Sequence, residues 1–500
     1  MNGFLCPRRT AHVLRRLMRS THLRSLFVFL FAFAGFRSGW SQEPKKLTLD
    51  AAETFQTIDG FGVNITPAQW RNGQLKPVID QLVDELGATL FRFDCYGKAD
   101  WLDPTRREKG HFPESYLREV YTKPVFEDAW QTFRYLNSKG IEPFFNVSGR
   151  IPAAWTASDG QTLTDYDAYA EMVVSMLAWA RNQEHLRFHL VGPFNETDLG
   201  FPEGPRIPPS SALAATKAIV ARLDQAGLTD VKLMVMDSAA AGAHYEDAFL
   251  KTPELAGRIS VFSSHTYGDG GEGDGLSWYR SKSEFGNAIA SIADSPYKDS
   301  AFWVSEYGDL DQSGEIEFEI GWRSDRRILK LLNEGVNAGL VWDAFDNFHE
   351  HDAEWASYGL LQTDHEHWQY KPKPRYFAAK QIHRFVRPGF QRVQLDGLPP
   401  DPKDVFAEWH APLAHLLLTA FASSDKRDFT IVGMSMIERD AEPRIELKIL
   451  SKDALQKKVQ YFRTRQGENC RRVSSVRIEG STVIATVPQR SIVTLTTLDE

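Results

Sequence analysis

Leu190-Val191-Gly192-Pro193-Phe194-Asn195-Glu196-Thr197 and Phe302-Trp303-Val304-Ser305-Glu306-Tyr307-Gly308 are each a short apolar run that ends in polar residues beside Gly or Pro. Such a run reads as a buried parallel strand opening into a loop. From Gly60 to Phe385 the same pattern recurs: short β-rich runs alternate with longer amphipathic stretches, the βα signature of a parallel sheet. The candidate strands are Gly60 to Ile65, Thr89 to Asp94, Glu142 to Val147, Phe188 to Phe194, Lys232 to Met236, Ile259 to His265, Phe302 to Glu306 and Gly339 to Ala344. Eight strands close a (β/α)8 TIM barrel, whose functional residues stand at the C-terminal strand ends.

Helical spacing fills the gaps. Pro77 to Leu86 places Val78, Leu82 and Leu86 on one face, with Gly87 positioned to stop the helix. Asp165 to Arg181 carries Tyr169, Met172, Val173, Met176, Leu177 and Ala180 at core-packing intervals. After Arg387-Pro388-Gly389 the pattern changes to short alternating runs, Ala414 to Phe421, Phe429 to Met434, Ile445 to Ile449, Val459 to Thr464, Thr482 to Val487 and Ser491 to Leu495, separated by turn residues. This is the patterning of an all-β sandwich. The expected partition is a leader at 1–41, a leading strand at 42–58 packed with the side domain, a catalytic barrel at 59–387 and a C-terminal β-sandwich at 388–500. A composition of 42% hydrophobic residues is enough to bury two cores.

The N-terminal segment has Arg8, Arg9, Arg15, Arg16, Arg19 and Arg24, no acid, and then the apolar run Leu26 to Phe36. A positive stretch, a short apolar core and small residues at Gly39 and Ser41 predict a secretory signal cleaved after Ser41; the run is short for a bilayer span, and an uncleaved anchor is the alternative. Losing residues 1–41 removes seven arginines and takes the formal charge from −8 to −15. An acidic chain does not suit nucleic acid or an anionic membrane surface, both of which need a basic face. Only Cys95 and Cys470 would remain, in different domains, so neither a disulfide framework nor a metal cluster is expected. A secreted, periplasmic or cell-surface monomer with no membrane partner after cleavage, no cofactor and a neutral or weakly charged ligand is the expectation.

Glu196 and Glu306 end the fourth and seventh runs, so both should face one bowl at the barrel mouth. Two carboxyls converging there suit glycoside hydrolysis, which needs one acid to protonate the leaving oxygen and one carboxylate to attack or to activate water. Arg92 on the second strand needs a carboxylate partner inside a barrel and is a candidate for holding one of them ionised. His265 and Tyr267, in Ser263-Ser264-His265-Thr266-Tyr267-Gly268, end the sixth strand, where a tyrosine hydroxyl can also donate to a carboxylate. Trp155, Trp342 and Trp101 follow other strands, and an aromatic face can stack on a sugar ring.

The order Phe55-Gln56-Thr57-Ile58-Asp59-Gly60-Phe61-Gly62, then Pro193-Phe194-Asn195-Glu196, His265-Thr266-Tyr267 and Ser305-Glu306-Tyr307-Gly308, resembles clan A glycoside hydrolases, most of all glycoside hydrolase family 30. Arg384-Phe385-Val386-Arg387-Pro388-Gly389 and the terminal Val487 to Leu495 are similar to that family's barrel exit and last side-domain strand. The resemblance implies a retaining mechanism, with Glu196 as acid/base and Glu306 as nucleophile about 5 to 5.5 Å apart. It also implies that Asn195 binds the sugar 2-hydroxyl and that Arg92, Trp155, His265, Tyr267 and Trp342 line the subsite at the cleavage point. Asp94, Asp237 and Asp343 are further candidates to meet sugar hydroxyls.

The chain departs from the family at Val63-Asn64-Ile65-Thr66-Pro67 and in the long, acidic, histidine-bearing loop Trp342 to Asp352, which leaves the sugar open. No basic cluster there would read a glucuronic acid branch. His349, His351 and Asp352 lack the spacing of a metal set and read as loop polar groups. Asn64-Ile65-Thr66, Asn146-Val147-Ser148 and Asn195-Glu196-Thr197 match the glycosylation pattern, but all three fall at barrel strand ends. The rival expectations are a carbohydrate-binding protein on a decayed barrel, which has no need of both carboxyls, and a transglycosylase, which shares the covalent intermediate.

Overall fold

The computed structural model describes residues 45–66, 70–94, 101–268, 282–347, 356–364, 366–397, 416–435, 444–450, 457–474 and 476–499. The leader at 1–41, Cys95 and the His349-Glu350-His351-Asp352 run lie outside the described residues. The chain opens with β1 (Lys45–Thr57) and then winds β2 (Gly60–Ile65), β3 (Leu90–Asp94), β4 (Phe144–Asn146), β5 (Leu190–Gly192), β6 (Lys232–Ser238), β7 (Ile259–Gly268), β8 (Ala301–Asp309) and β9 (Ala338–Val341). The last eight pair in sequence and close into a parallel barrel, β9 returning to β2. Each of the eight apolar runs overlaps one of these strands.

The strand lengths have local causes. β4 and β5 are only three residues long, and Pro143 and Pro193 beside them bring no amide hydrogen to the ladder. β7 and β8 instead run on past the barrel wall, still paired as far as Gly268 and Asp309, which sets His265 against Glu306 and Tyr267 against Gly308. Inside the barrel, Phe144, Met234, Val261, Trp303, Ala338 and Leu340 form an apolar plug. Side chains two residues further along the strands share that face. On β3, β4 and β7 these are Arg92 above Leu90, Asn146 above Phe144 and Ser263 above Val261, so a polar layer lies on an apolar floor. No helix among the described residues is long and apolar enough to cross a membrane.

Helices of the outer ring bury their apolar faces on this barrel. Tyr166–Asn182 begins where the Asp165 side chain accepts from Ala168 N. The stretch predicted as one helix from Pro77 is Lys76–Asp80 continued by a wider turn over Gln81–Leu86, and it stops at Gly87, whose φ of 85° is open to glycine.

Beyond the barrel come a hairpin, β10 (Leu361–Asp364) with β11 (Gln369–Pro372), and then β12 (Gln391–Asp396), β13 (Leu416–Ala422), β14 (Phe429–Ser435), β15 (Arg444–Ile449), β16 (Gln460–Arg465), β17 (Glu468–Arg472), β18 (Arg477–Glu479), β19 (Thr482–Thr486) and β20 (Ser491–Thr496). From β12 on they join β1 in one sheet ordered β17-β16-β20-β14-β13-β12-β1-β15-β19-β18. The Tyr461 hydroxyl on β16 donates to Thr486 O on β19 at 2.5 Å, although the two strands lie near opposite ends of that order. The sandwich is therefore one sheet folded over its own core, which includes Leu49, Leu418, Ile431, Tyr461, Val483 and Leu495. β1 lies inside it, antiparallel to β12 and parallel to β15.

The sheet is fixed to the barrel by burial and by short polar contacts. Phe421, Val432, Met434 and Ile492 belong to the barrel's own core, Gln381 Nε2 donates to Thr464 Oγ1 at 2.8 Å, and Thr430 Oγ1 donates to Phe385 O at 2.7 Å. Phe421→Ala should destabilise the whole chain by about 3 to 5 kcal/mol, the cost of an unfilled aromatic cavity. Denaturant titration checks this, with loss of barrel and sheet signals in one transition.

Candidate active site

Arg92 is fully buried at the centre of the polar layer. Its Nη1 donates to Glu306 Oε1 at 2.6 Å and Asn64 Oδ1 at 2.7 Å, and its Nη2 to Asp237 Oδ2 at 2.7 Å and Asn195 Oδ1 at 2.5 Å. Asn146, with its amide oxygen turned toward Arg92 Nη2 at 2.7 Å, adds a further acceptor and donates to Gly192 O and Asp237. Gly192 makes room for it, since a Cβ there would stand 2.3 Å from the end of the Asn146 amide that faces this strand. Burial alone would push a guanidinium toward losing its proton, but Asp237, Glu306 and Asp94 outweigh it and raise its pKa further above the ordinary value.

Asp237, at the end of β6, takes Arg92 on one oxygen and the hydroxyls of Ser263 (2.8 Å) and Ser305 on the other. Burial works against its charge, but Arg92, His265 and Ser305 prevail and hold it well below the usual carboxylate range. Its main-chain carbonyl accepts from Glu196 N at 2.8 Å. Both residues have positive φ, 58° for Asp237 and 42° for Glu196, a conformation uncommon outside glycine and concentrated at functional sites.

Glu196 and Glu306 meet across His265. Nδ1 of that buried imidazole is 2.7 Å from Glu196 Oε1 and 3.3 Å from Glu306 Oε2, and Nε2 is 3.4 Å from Asp237. Burial opposes a charged ring here, yet Glu306 and Asp237 raise its pKa well above the ordinary histidine value. The Tyr267 hydroxyl donates to Glu306 Oε2. Glu306 is pushed up to about 7, chiefly by burial, with Glu196 and Asp237 adding and with His265 and Arg92 opposing.

One ligand atom from each of Glu196, His265 and Glu306 falls within 4.8 Å of the others, a spacing a divalent ion could bridge. Both Glu306 oxygens already receive donors from Arg92 and Tyr267, and the guanidinium would repel a second cation. The donor chemistry favours proton sharing.

The structure thus brings together Arg92, Asn195, Glu196, His265, Tyr267 and Glu306. Asp94 is buried nearby, accepting from Ser148 Oγ at 2.5 Å, and Trp342 is half-buried at the end of β9. Two expectations change. Trp155 is only 2% exposed and packs edge-on against Phe112, so it belongs to the core and offers no face to a sugar. Trp101, by contrast, is half-buried with an edge contact to Phe126, so that expectation is unchanged. Asp237, expected to meet a sugar hydroxyl, is fully buried with both oxygens committed to Arg92 and the two serines.

Sequence reading passed over Asn64, Asn146, Ser263 and Ser305 as site residues. The first two, with Asn195, are the asparagines of the three glycosylation patterns, and all three are buried around Arg92. Their signal was the one that exposed the glutamates, a polar residue ending an apolar strand.

No protein-family model and no curated protein matches the chain. Among solved structures, the fold is similar to a GH30 endoxylanase from Clostridium papyrosolvens C71 (15% identity, TM-score 0.65, 91% of this chain and 100% of that one). It is similar also to the catalytic domain of GH30 xylanase C from Talaromyces cellulolyticus (17%, 0.67, 91% and 100%) and to a family 51 α-L-arabinofuranosidase from Bifidobacterium longum (12%, 0.59, 91% and 100%). The chain therefore has the barrel-and-sandwich fold of these glycoside hydrolases over nearly its whole length.

Because Arg92 and Asp237 are wholly buried, removing one charge leaves the other under-compensated. Asp237→Asn should cost about 3 to 5 kcal/mol of stability, read by denaturant unfolding; an unchanged midpoint would show that Glu306 alone carries the guanidinium.

Proposed function

We propose that the chain is a retaining glycoside hydrolase that cleaves β-linked sugars of a poly- or oligosaccharide, with Glu306 as nucleophile and Glu196 as acid/base. The observation that carries this reading is the spacing of the two carboxyls, an oxygen of each lying within 4.8 Å of the other. Retaining sites place their carboxyls about 5 to 5.5 Å apart, whereas inverting sites leave about 6.5 to 9.5 Å for an attacking water. The likeness to two xylanase folds and an α-L-arabinofuranosidase fold supports glycoside hydrolysis. On this reading the apolar N-terminal segment serves export to a secreted or periplasmic location.

The donors around each carboxyl fit separate roles. Arg92 and Tyr267 converge on Glu306 and favour its ionised form, which attacks the anomeric carbon while Glu196 protonates the departing oxygen. Once Glu306 becomes a glycosyl ester, Glu196, held by His265 Nδ1, takes the proton of an incoming water. Asn195 Nδ2 spends one hydrogen on Glu203 O at 3.0 Å and has a second for the 2-hydroxyl. A sugar acceptor in place of water would make the reaction transglycosylation.

Glu196→Ala should slow glycosides with poor leaving groups by at least about 100-fold while sparing activated aryl glycosides, because acid assistance scales with leaving-group basicity. Glu306→Ala should abolish turnover, and azide should restore it with inverted anomeric configuration. Wild type and Glu306→Ala equally inert on a broad glycoside and glycan panel would contradict the proposal.

With Glu306 pushed up to about 7, kcat/KM should fall as the pH drops through that value and the nucleophile takes a proton. Tyr267→Phe deletes a donor to its ionised form and should move this acidic limb to higher pH. A pH profile whose limb ignores the substitution would assign the titration to another group.

A further inference from the structure

Asn195 ties the loop after β5 to the bowl. Its Oδ1 accepts from Arg92 Nη2 and its Nδ2 donates to Glu203 O at 3.0 Å, and the same carbonyl accepts from Gly149 N in the loop after β4 at 2.8 Å. Between these points the chain turns on the acid/base, with Leu199 N and Gly200 N donating to Glu196 O at 2.9 and 3.4 Å. Ile207 N donates to Thr197 O and Arg206 N to Gln161 O, each at 3.0 Å, so the far side of the loop is held as well. An acid/base has to reach the oxygen between the cleaved sugar and its leaving group. The lip that continues from Glu196 therefore borders the leaving group.

Two guanidiniums flank this lip. Arg150, exposed, lies over the Phe201 ring at 5.6 Å. Arg206, half-buried, donates from Nη2 to Leu199 O at 3.1 Å, and a Cβ on Gly200 would stand 3.5 Å from the same nitrogen. The two cations thus sit against consecutive residues, Gly200 and Phe201. Neither is paired with a carboxylate among the described residues. Around the barrel, by contrast, Arg107, Arg134, Arg181, Arg222 and Arg258 each hold one. Two acids on the same lip are engaged with other donors: Asp198 accepts from Ala239 N and Ala240 N, and Asp159 from Gln161 N, Thr162 N and Thr162 Oγ1.

We propose that Arg150 and Arg206 form a leaving-group subsite for an oxyanion, so that the enzyme cleaves bonds to, or transfers glycosyl groups onto, sugars that carry a carboxylate or a sulfate ester. This rests on the glycosidase reading and names its leaving-group class. A guanidinium presents N–H donors in a fork that matches two oxygens of either anion. One partly exposed pair is worth only about 1.4- to 5-fold in binding, and two cations on one lip act on the same anion. The sequence has no basic cluster in the loop after β9; this pair comes from the loops after β4 and β5.

The test isolates the leaving-group side. A panel of 2-deoxy-2-fluoro β-glycosyl fluorides traps Glu306 as a glycosyl ester, and an acceptor sugar then releases it. The acceptor hydroxyl attacks the anomeric carbon, its proton passes to Glu196 and the bond to Glu306 breaks. The acceptors are methyl β-glucoside, its 6-sulfate and methyl β-glucuronide, which differ only at C6, at neutral pH and low salt. Recovery of activity should be at least about 5-fold faster with an anionic acceptor than with the neutral one at equal, subsaturating concentration. Arg150→Gln with Arg206→Gln should abolish that preference, Arg150→Lys with Arg206→Lys should keep part of it, and high salt should shrink it in the wild type. Thermal unfolding confirms that the variants are folded. A preference confined to the sulfate or to the uronide supports the subsite and identifies its anion. The proposal is overturned if the neutral acceptor is as fast as both anions, or if the folded double Gln variant keeps the preference. Failure of the whole panel to label Glu306 overturns the glycosidase reading and this proposal with it, whereas labelling without an anion preference overturns this proposal alone.

Discussion

A guanidinium buried without any solvent contact organises the barrel mouth. Taking such a charge out of water costs several kcal/mol unless its partners are close and well oriented, and Arg92 meets that demand with two carboxylates and three asparagine oxygens from β2, β4, β6, β8 and the turn after β5. The strand ends of most of the barrel are thereby tied to one point. Glu306 is one of those partners, so the proposed nucleophile is positioned by the same interaction that makes the buried charge tolerable.

The architecture was legible because it depends on local pattern. Eight apolar runs bounded by polar or breaker residues are visible without knowing what pairs with what. Glu196 and Glu306 were legible for a related reason, as each ends such a run. Asn64 and Asn146 each stand one residue before the end of a run, but their function is to face Arg92, a meeting of residues from separate strands that no window of sequence contains. Trp155 failed in the opposite sense. An aromatic residue after a strand reads alike whether it faces a groove or a core, and here Trp155 is buried in the core, in edge contact with Phe112.

The side domain divides along the same line. Its alternating runs announced strands, and most of them are there, but the sheet's order is set by pairings far apart in sequence. β1 lies between β12 and β15, separated from its partners by the whole barrel. Long-range pairing of this kind closes a large loop, so local propensity says little about it. It makes the chain's two ends complete one sheet, and that sheet shares buried residues with the barrel core. The barrel consequently cannot shed the side domain without exposing part of itself.

The positive φ angles of Glu196 and Asp237 connect these levels. Neither residue is glycine, and each occupies a backbone region that costs of order 1 to 3 kcal/mol. The hydrogen bond from Glu196 N to Asp237 O joins the two strained positions, so the arginine's salt bridge to Asp237 also supports the backbone that aims Glu196. On the opposite side of Arg92 the same cation holds Glu306. A single buried charge therefore spaces the two carboxyls, through a backbone contact to one and a side-chain contact to the other, and that spacing is what makes a double displacement the better reading of the bowl than water attack.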